Sequence, residues 1–212
     1  MGRRESRVWA LLSDALTSNG WAGWRVEMKT AGFPDVMMFP PTAPPTIYPP
    51  AFIELKALPE VPVDTAHRFS INWASPSQPI TLMSLAVLGM DAGALVRYGV
   101  TDPKEGKKST LCVWAWFRAR PTPLWVQAVL KPVDLKGDDS EAVYPDGVCV
   151  VRPGEDEVAA LKTALRQWFP WPWTDTAPGG FRAGVTIPRY ADWRRPAGAV
   201  GSFWHDIQDG RP

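Results

Sequence analysis

The chain has 212 residues, with 23 Lys or Arg against 22 Asp or Glu, a length suited to one sizeable domain plus an extension or to two small ones. So even a balance announces no global attraction to polyanions, and any grip on phosphate has to be local. Cys112 and Cys149 lie far apart without ligand-like spacing and His67 and His205 are solitary, which argues against a zinc site or a His-based triad and for buried thiols in a reducing compartment.

A helix is predicted from Glu5 to Ser18, where Val8, Leu11, Leu12, Ala15 and Leu16 recur at the three-and-four spacing of one apolar face and Asn19-Gly20 ends it. Glu5 falls on the same stripe, so its carboxylate either points toward a site or favours the helix N-terminus electrostatically. The leading residues run straight into this amphipathic helix. No signal peptide is expected, nor an apolar run able to span a bilayer. Trp24 to Lys29 alternates like a strand and Thr30-Ala31-Gly32 turns it. Val36–Phe39 and Ala51–Ala57 are the next strands, joined by a Pro-rich link, Pro40 to Pro50, expected to be a stiff surface loop.

Leu58 to Phe69 reads as irregular. Ser75-Pro76-Ser77-Gln78 carries helix-start signals: a Ser cap, Pro at the first helical position and Gln where a capping box wants it. That helix is expected to run to about Leu88, with Gly89 ending it. A buried strand from Ala92 to Val100 follows, then a turn-forming stretch, Thr101 to Gly106, as a candidate boundary. Leu111–Phe117 and Leu124–Leu130 read as further strands, the first as core or a subunit interface. Gly154 to Phe169 reads as a second amphipathic helix. Beyond Pro170 the pattern dissolves into Trp among Pro, Gly and Arg. With 12 Trp and 23 Pro, the chain is expected to be loop-rich and pinned by aromatic anchors. The Arg and aromatic residues from Arg182 to Arg195 suit either nucleic acid or attachment of the tail to its own domain.

The chemistry concentrates early. On a strand, residues two apart share a face, so Glu54 and Lys56 stand side by side with Leu55 turned into the core. If Val36–Phe39 pairs with Ala51–Ala57, Asp35 joins them at one end of a sheet. The competing reading of Glu-x-Lys is a solvated, salt-bridged face.

The order helix, strand, strand, strand, helix, strand carries Gly32-Phe33-Pro34-Asp35, Phe52-Ile53-Glu54-Leu55-Lys56, and Ser75-Pro76-Ser77-Gln78 followed by Gly89 and Ala94-Leu95-Val96. In this it resembles the PD-(D/E)xK nuclease superfamily, above all archaeal-type Holliday junction resolvases and virus-type replication-repair (VRR-NUC) nucleases. The resemblance covers Arg4 to Val100. It implies an α/β, restriction-endonuclease-like core, with a central mixed β-sheet flanked by helices, over residues 1–135 (motifs within 4–100). A C-terminal helix and Trp/Pro-rich extension would occupy 136–212.

The same resemblance implies that Asp35, Glu54 and the Leu55 carbonyl hold Mg2+, with Mn2+ able to substitute. Lys56 would orient or help deprotonate the attacking water, and Glu5 would reach the site through a water or a second ion. Arg4, Arg7 and Lys29, with Arg3, would form a positive rim for phosphates, extended by Arg68 and Arg97. Gln78 would either cap its helix or touch substrate. The expectation is a Mg2+-dependent DNA endonuclease cutting branched or flapped DNA in recombination, repair or phage DNA processing. It would be a homodimer or a monomer in the bacterial or phage-infected host cytoplasm, away from membranes. Two alternatives stand beside it: a restriction-type nuclease that reads sequence, and a catalytically idle nuclease-fold protein with a binding or structural role in a phage.

Overall fold

The computed structural model describes residues 3–26, 32–40, 49–62, 65–101, 111–136, 143–169 and 171; the Arg3 and Arg4 side chains fall outside that description. Helix α1 (Arg3–Ser18) buries Val8, Leu12, Ala15 and Leu16. It ends where the Leu16 carbonyl accepts the N–H groups of both Asn19 and Trp21, with Gly20 at φ 71 making the turn. The chain then enters an antiparallel meander of β1 (Ala22–Arg25), β2 (Val36–Phe39) and β3 (Ala51–Ala57). Two short strands follow, β4 (Val61–Pro62) and β5 (Arg68–Phe69).

Helix α2 (Ser77–Val87) then crosses over, and β6 (Asp91–Thr101) returns parallel to β3. β7 (Leu111–Arg118) is antiparallel to β6 along its whole length. After α3 (Pro123–Val129) and the short β8 (Val133–Asp134), which pairs with β5, strand β9 (Gly147–Val151) joins the far side of β7 and α4 (Glu157–Trp168) closes the described chain. The main sheet runs β1-β2-β3-β6-β7-β9, with β4 beside the end of β6. This is an α/β architecture with a mixed sheet flanked by helices. Among the described residues no helix is long and apolar enough to cross a membrane.

The sheet divides the core in two. Ile53, Leu55, Leu95, Trp114 and Trp116 face α1 and α4; Phe52, Ala94, Val96, Val113 and Phe117 face α2 and α3. A strand covered on both faces reads as a continuous apolar run. β3 is such a strand, buried from Ala51 to Lys56, and Glu54 and Lys56 are the two exceptions to its apolar composition.

Several expectations need correction. Leu124–Leu130 is no strand. Thr122 caps a helix there, its side chain accepting the Trp125 N–H, and Pro123 occupies the first turn. A short apolar run does not distinguish strand from helix by itself, and here the cap decides. Strand β9 falls in a stretch left unassigned, and the stretch from Leu58 to Phe69 contains two short strands. β1 ends at Arg25, so the strand expected to run through Lys29 stops early; Lys29 lies outside the described residues. At α2 the cap is Pro76 without a side-chain hydrogen bond, while the Ser75 and Ser77 hydroxyls meet each other at 2.5 Å.

Candidate functional site

The β2–β3 ladder pairs Val36 with Ile53, and one step further the same register sets Asp35 opposite Glu54. Asp35 is held twice. Its backbone carbonyl accepts the Val26 N–H at 2.7 Å, continuing the ladder with β1, and its Oδ2 accepts the Leu55 N–H at 2.9 Å. Glu54 and Lys56 turn to the α2 side of β3. Lys56 Nζ donates to Glu54 Oε1 at 2.7 Å and to Gln78 Oε1 at 3.2 Å. Gln78, in the first turn of α2, donates its Nε2 to Glu54 Oε1, and its Oε1 accepts the Ala74 N–H at 2.8 Å. The Lys56 ammonium also stands 5.6 Å from the centre of the Trp73 ring, whose indole N–H donates to the Val129 carbonyl at 3.2 Å.

The Glu54 and Lys56 side chains are only 2% and 8% exposed, so the solvated-face reading fails. Burial is the largest influence on Glu54 and raises its pKa to about 7; the nearby charges of Asp35 and Glu5 push the same way, and Lys56 pulls against them. Asp35, half-buried, is also raised, first by burial and then by Glu5, against the Leu55 N–H, Lys56 and Arg25. Glu5 sits half-buried on the first turn of α1, close enough for both carboxylates to feel its charge.

The fold therefore gathers Asp35, Glu54, Lys56 and Gln78, with Glu5 within electrostatic reach and the Leu55 N–H held by Asp35. Other expected members lie elsewhere. Arg7 is exposed and lines a groove of about 710 Å³ whose walls include Arg97, Arg152 and Glu157 but none of Asp35, Glu54, Lys56 or Gln78. Arg97 is committed to Glu157, Nε to Oε1 at 2.7 Å and a terminal nitrogen to Oε2 at 3.1 Å, which removes it from any rim. Arg68 stands beside Asp134 at 3.6 Å. Arg4 lies on α1, and Lys29 is outside the described residues.

Gln78 does reach back to the chain before its helix, yet it also ties the acid to the amine, a role its capping signature does not disclose. Two neighbours escape the sequence reading. Trp73 stands beside Lys56 while its indole is tied to a carbonyl of α3, a contact between distant segments. Arg25, paired with Val36 on the β1–β2 ladder, acts on Asp35 one residue away.

Among the described residues no group of three or more His, Cys, Asp and Glu side chains is gathered to hold a metal ion. The donors these residues offer are the carboxylate oxygens of Asp35 and Glu54, to which the resemblance would add the Leu55 carbonyl. An all-oxygen set of this kind suits a hard cation that keeps waters and takes phosphate oxygens, and it does not suit zinc. Comparison of the chain with family models, with curated proteins and with solved structures finds no match.

Proposed function

We propose that the protein is a Mg2+-dependent nuclease that hydrolyses phosphodiester bonds in DNA. The observation that carries this reading is the meeting of half-buried Asp35 and buried Glu54 on adjacent strands, with the Lys56 ammonium on the same side of β3 as Glu54. A buried acid whose pKa is raised by burial and by a neighbouring carboxylate, as Glu54 is by Asp35, is unfavourable in its charged form unless something positive joins it, and Lys56 offsets that cost only in part. A divalent cation supplies the remainder.

Asp35, Glu54 and the Leu55 carbonyl would hold Mg2+, and Mn2+ would substitute. Once bound, such an ion makes a nucleophilic water available near neutral pH and offsets charge developing on the phosphate. Gln78 holds the Glu54 carboxylate and the Lys56 ammonium in one arrangement. Lys56 has three N–H donors, of which two go to Glu54 and Gln78, leaving one to orient the attacking water or meet a phosphate oxygen. Glu5 adds negative charge that favours cation binding. By the resemblance of its motifs, the chain would act on branched or flapped DNA in recombination, repair or phage DNA processing, and leave 5′-phosphate and 3′-hydroxyl ends.

A second reading, an idle nuclease-fold protein with a binding role, is favoured by one observation: Glu54 and Lys56 are buried and satisfied by one another and by Gln78. Incubation with junction, flap and linear DNA plus Mg2+ separates the readings. Cleavage that falls at least about a hundredfold in Asp35→Ala and Lys56→Ala supports the nuclease. Cutting at one short sequence in linear duplex points to a restriction-type enzyme. No cutting of any substrate, together with no Mn2+ binding by calorimetry, establishes the idle protein.

A further inference from the structure

Trp24 is the exception among the described tryptophans. Trp21, Trp114, Trp116, Trp125, Trp168 and Trp171 are buried, whereas Trp24 is 65% exposed on β1. Tryptophan is among the side chains that gain most from being covered. Register fixes where this one stands. Trp24 pairs with Met37 and Met37 with Phe52, which faces α2, so Trp24 stands on the α2 side of the sheet. Gly23 faces the other way, where a Cβ would meet Leu16 and Trp9 of α1. Phe39, two residues beyond Met37, shares the Trp24 side, and the two rings lie 4.8 Å apart between centroids, tilted by 54°.

This aromatic ledge adjoins the acids. Asp35 stands two residues before Met37, where the Val26 N–H continues the β1–β2 ladder, so Trp24 and Asp35 are diagonal neighbours on one face. Diagonal neighbours are about 7–8 Å apart, within reach of an aromatic side chain. Helix α2 lies over β3 and β6, and the same side of β1 and β2 is half-buried at Met37 and Phe39 and open at Ala22 and Trp24. A single ring braced by Phe39 is too small a patch for a stable protein partner, whose interface needs a cluster of such anchors. It matches one flat group. A phosphate bound through a cation at Asp35 and Glu54 brings such a group with it, the base of the adjoining nucleotide. In a duplex that base is stacked within the helix; an unpaired nucleotide presents its face to a neighbouring ring.

We propose that Trp24 stacks on an unpaired base beside the phosphate to be cut, so that the protein selects DNA with a single-stranded segment, such as a flap, over fully paired DNA. This inference rests on the nuclease reading of Asp35, Glu54 and Lys56. Two measurements on the full chain keep the two apart: fluorescence anisotropy of labelled single-stranded, flapped and duplex oligonucleotides with Ca2+ in place of Mg2+, and steady-state cutting of the flap with Mg2+. Trp24→Ala is expected to weaken single-strand and flap binding at least about tenfold and to leave duplex binding unchanged. On the flap it should raise KM by a similar factor with kcat little altered. Trp24→Phe, which keeps a flat ring, should retain most of the affinity, and Trp24→Leu should behave as the alanine variant. Radical footprinting should find Trp24 reactive in the free protein and protected by a single strand. A Trp24→Ala protein that binds single strands as wild type does, or loses duplex binding equally, overturns the proposal. So does rescue by leucine, or a Trp24 already shielded in the free protein by its own chain or by a second copy. Asp35-dependent cutting without a Trp24 effect removes the stacking alone; Trp24-dependent binding without cutting upholds the stacking and removes the nuclease reading.

Discussion

Glu54 is a carboxyl group held where its charged form is disfavoured, and that has two measurable consequences. With its pKa raised to about 7, the group is largely protonated in mildly acidic solution and has to release that proton before it can hold a cation. Mn2+ affinity measured by calorimetry should therefore rise about tenfold between pH 6 and pH 8, and Glu54→Gln should abolish the dependence along with the binding. The second consequence concerns folding. Between the unfolded-chain value of 4.5 and about 7 the folded protein keeps a proton that the unfolded chain has released, so stability falls as pH rises through this window. Asp35, also raised, adds in the same direction. Urea denaturation should find Glu54→Gln more stable than wild type at pH 8, by roughly 1–3 kcal/mol, with the gain gone near pH 4. Asp35, Glu54 and Lys56 were legible in the sequence because strand periodicity and a Pro-Asp turn are local signals. Trp73 and Arg25 were not, because each reaches the site through a neighbouring element.

At the scale of elements, α4 is fastened by one carboxylate. Glu157 Oε1 takes hydrogen bonds from Arg97 Nε at 2.7 Å, Cys112 Sγ at 2.9 Å and Trp114 Nε1 at 2.9 Å. Burial alone would raise the Glu157 pKa, but the hydrogen bonds from Arg97, Cys112 and Trp114, with the guanidinium charge, outweigh it and the pKa is lowered. Its contribution to stability is thus present above the ordinary carboxylate range and is lost as pH falls through the lowered value. Glu157→Ala leaves Arg97 partly buried without its partner, and should cost about 2–4 kcal/mol in chemical denaturation at pH 7, much less at pH 3. The same guanidinium shows the limit of reading a basic residue from its type alone, since Arg97 belongs to architecture and not to a phosphate rim. The bounds of β2 and β3 could be read from their apolar runs and the Pro residues that flank them. Leu124–Leu130 could not, since its apolar run fits either period until Thr122-Pro123 is recognised as a helix start. Strand β9 is short and acquires its identity only by pairing with β7.

For the molecule as a whole, the two faces of the sheet are fastened differently. The α1–α4 face is clasped by Asn19, fully buried, which donates to the Lys162 carbonyl at 3.2 Å and accepts from Arg166 Nε at 2.7 Å, and by the rings of Trp21, Phe169 and Trp171. This clasp joins the end of the first described helix to the last. Trp171→Ala should lower stability by about 2–4 kcal/mol, seen as a fall in melting temperature. Gly147→Ala should damage the same layer, since a methyl there would overlap the Trp168 indole.

The bond from Leu55 N–H to Asp35 Oδ2 forms where the paired residues of β2 and β3 run out. A side chain there splices two strands, so one oxygen of the carboxylate serves as masonry. Asparagine retains a carbonyl for the splice and gives up the charge; alanine gives up both. Hydrogen exchange at the Leu55 amide should stay near wild type in Asp35→Asn and quicken about tenfold in Asp35→Ala, whereas the proposed cation site would be lost in both. A difference of that kind would show that this aspartate is a structural joint whatever else it does.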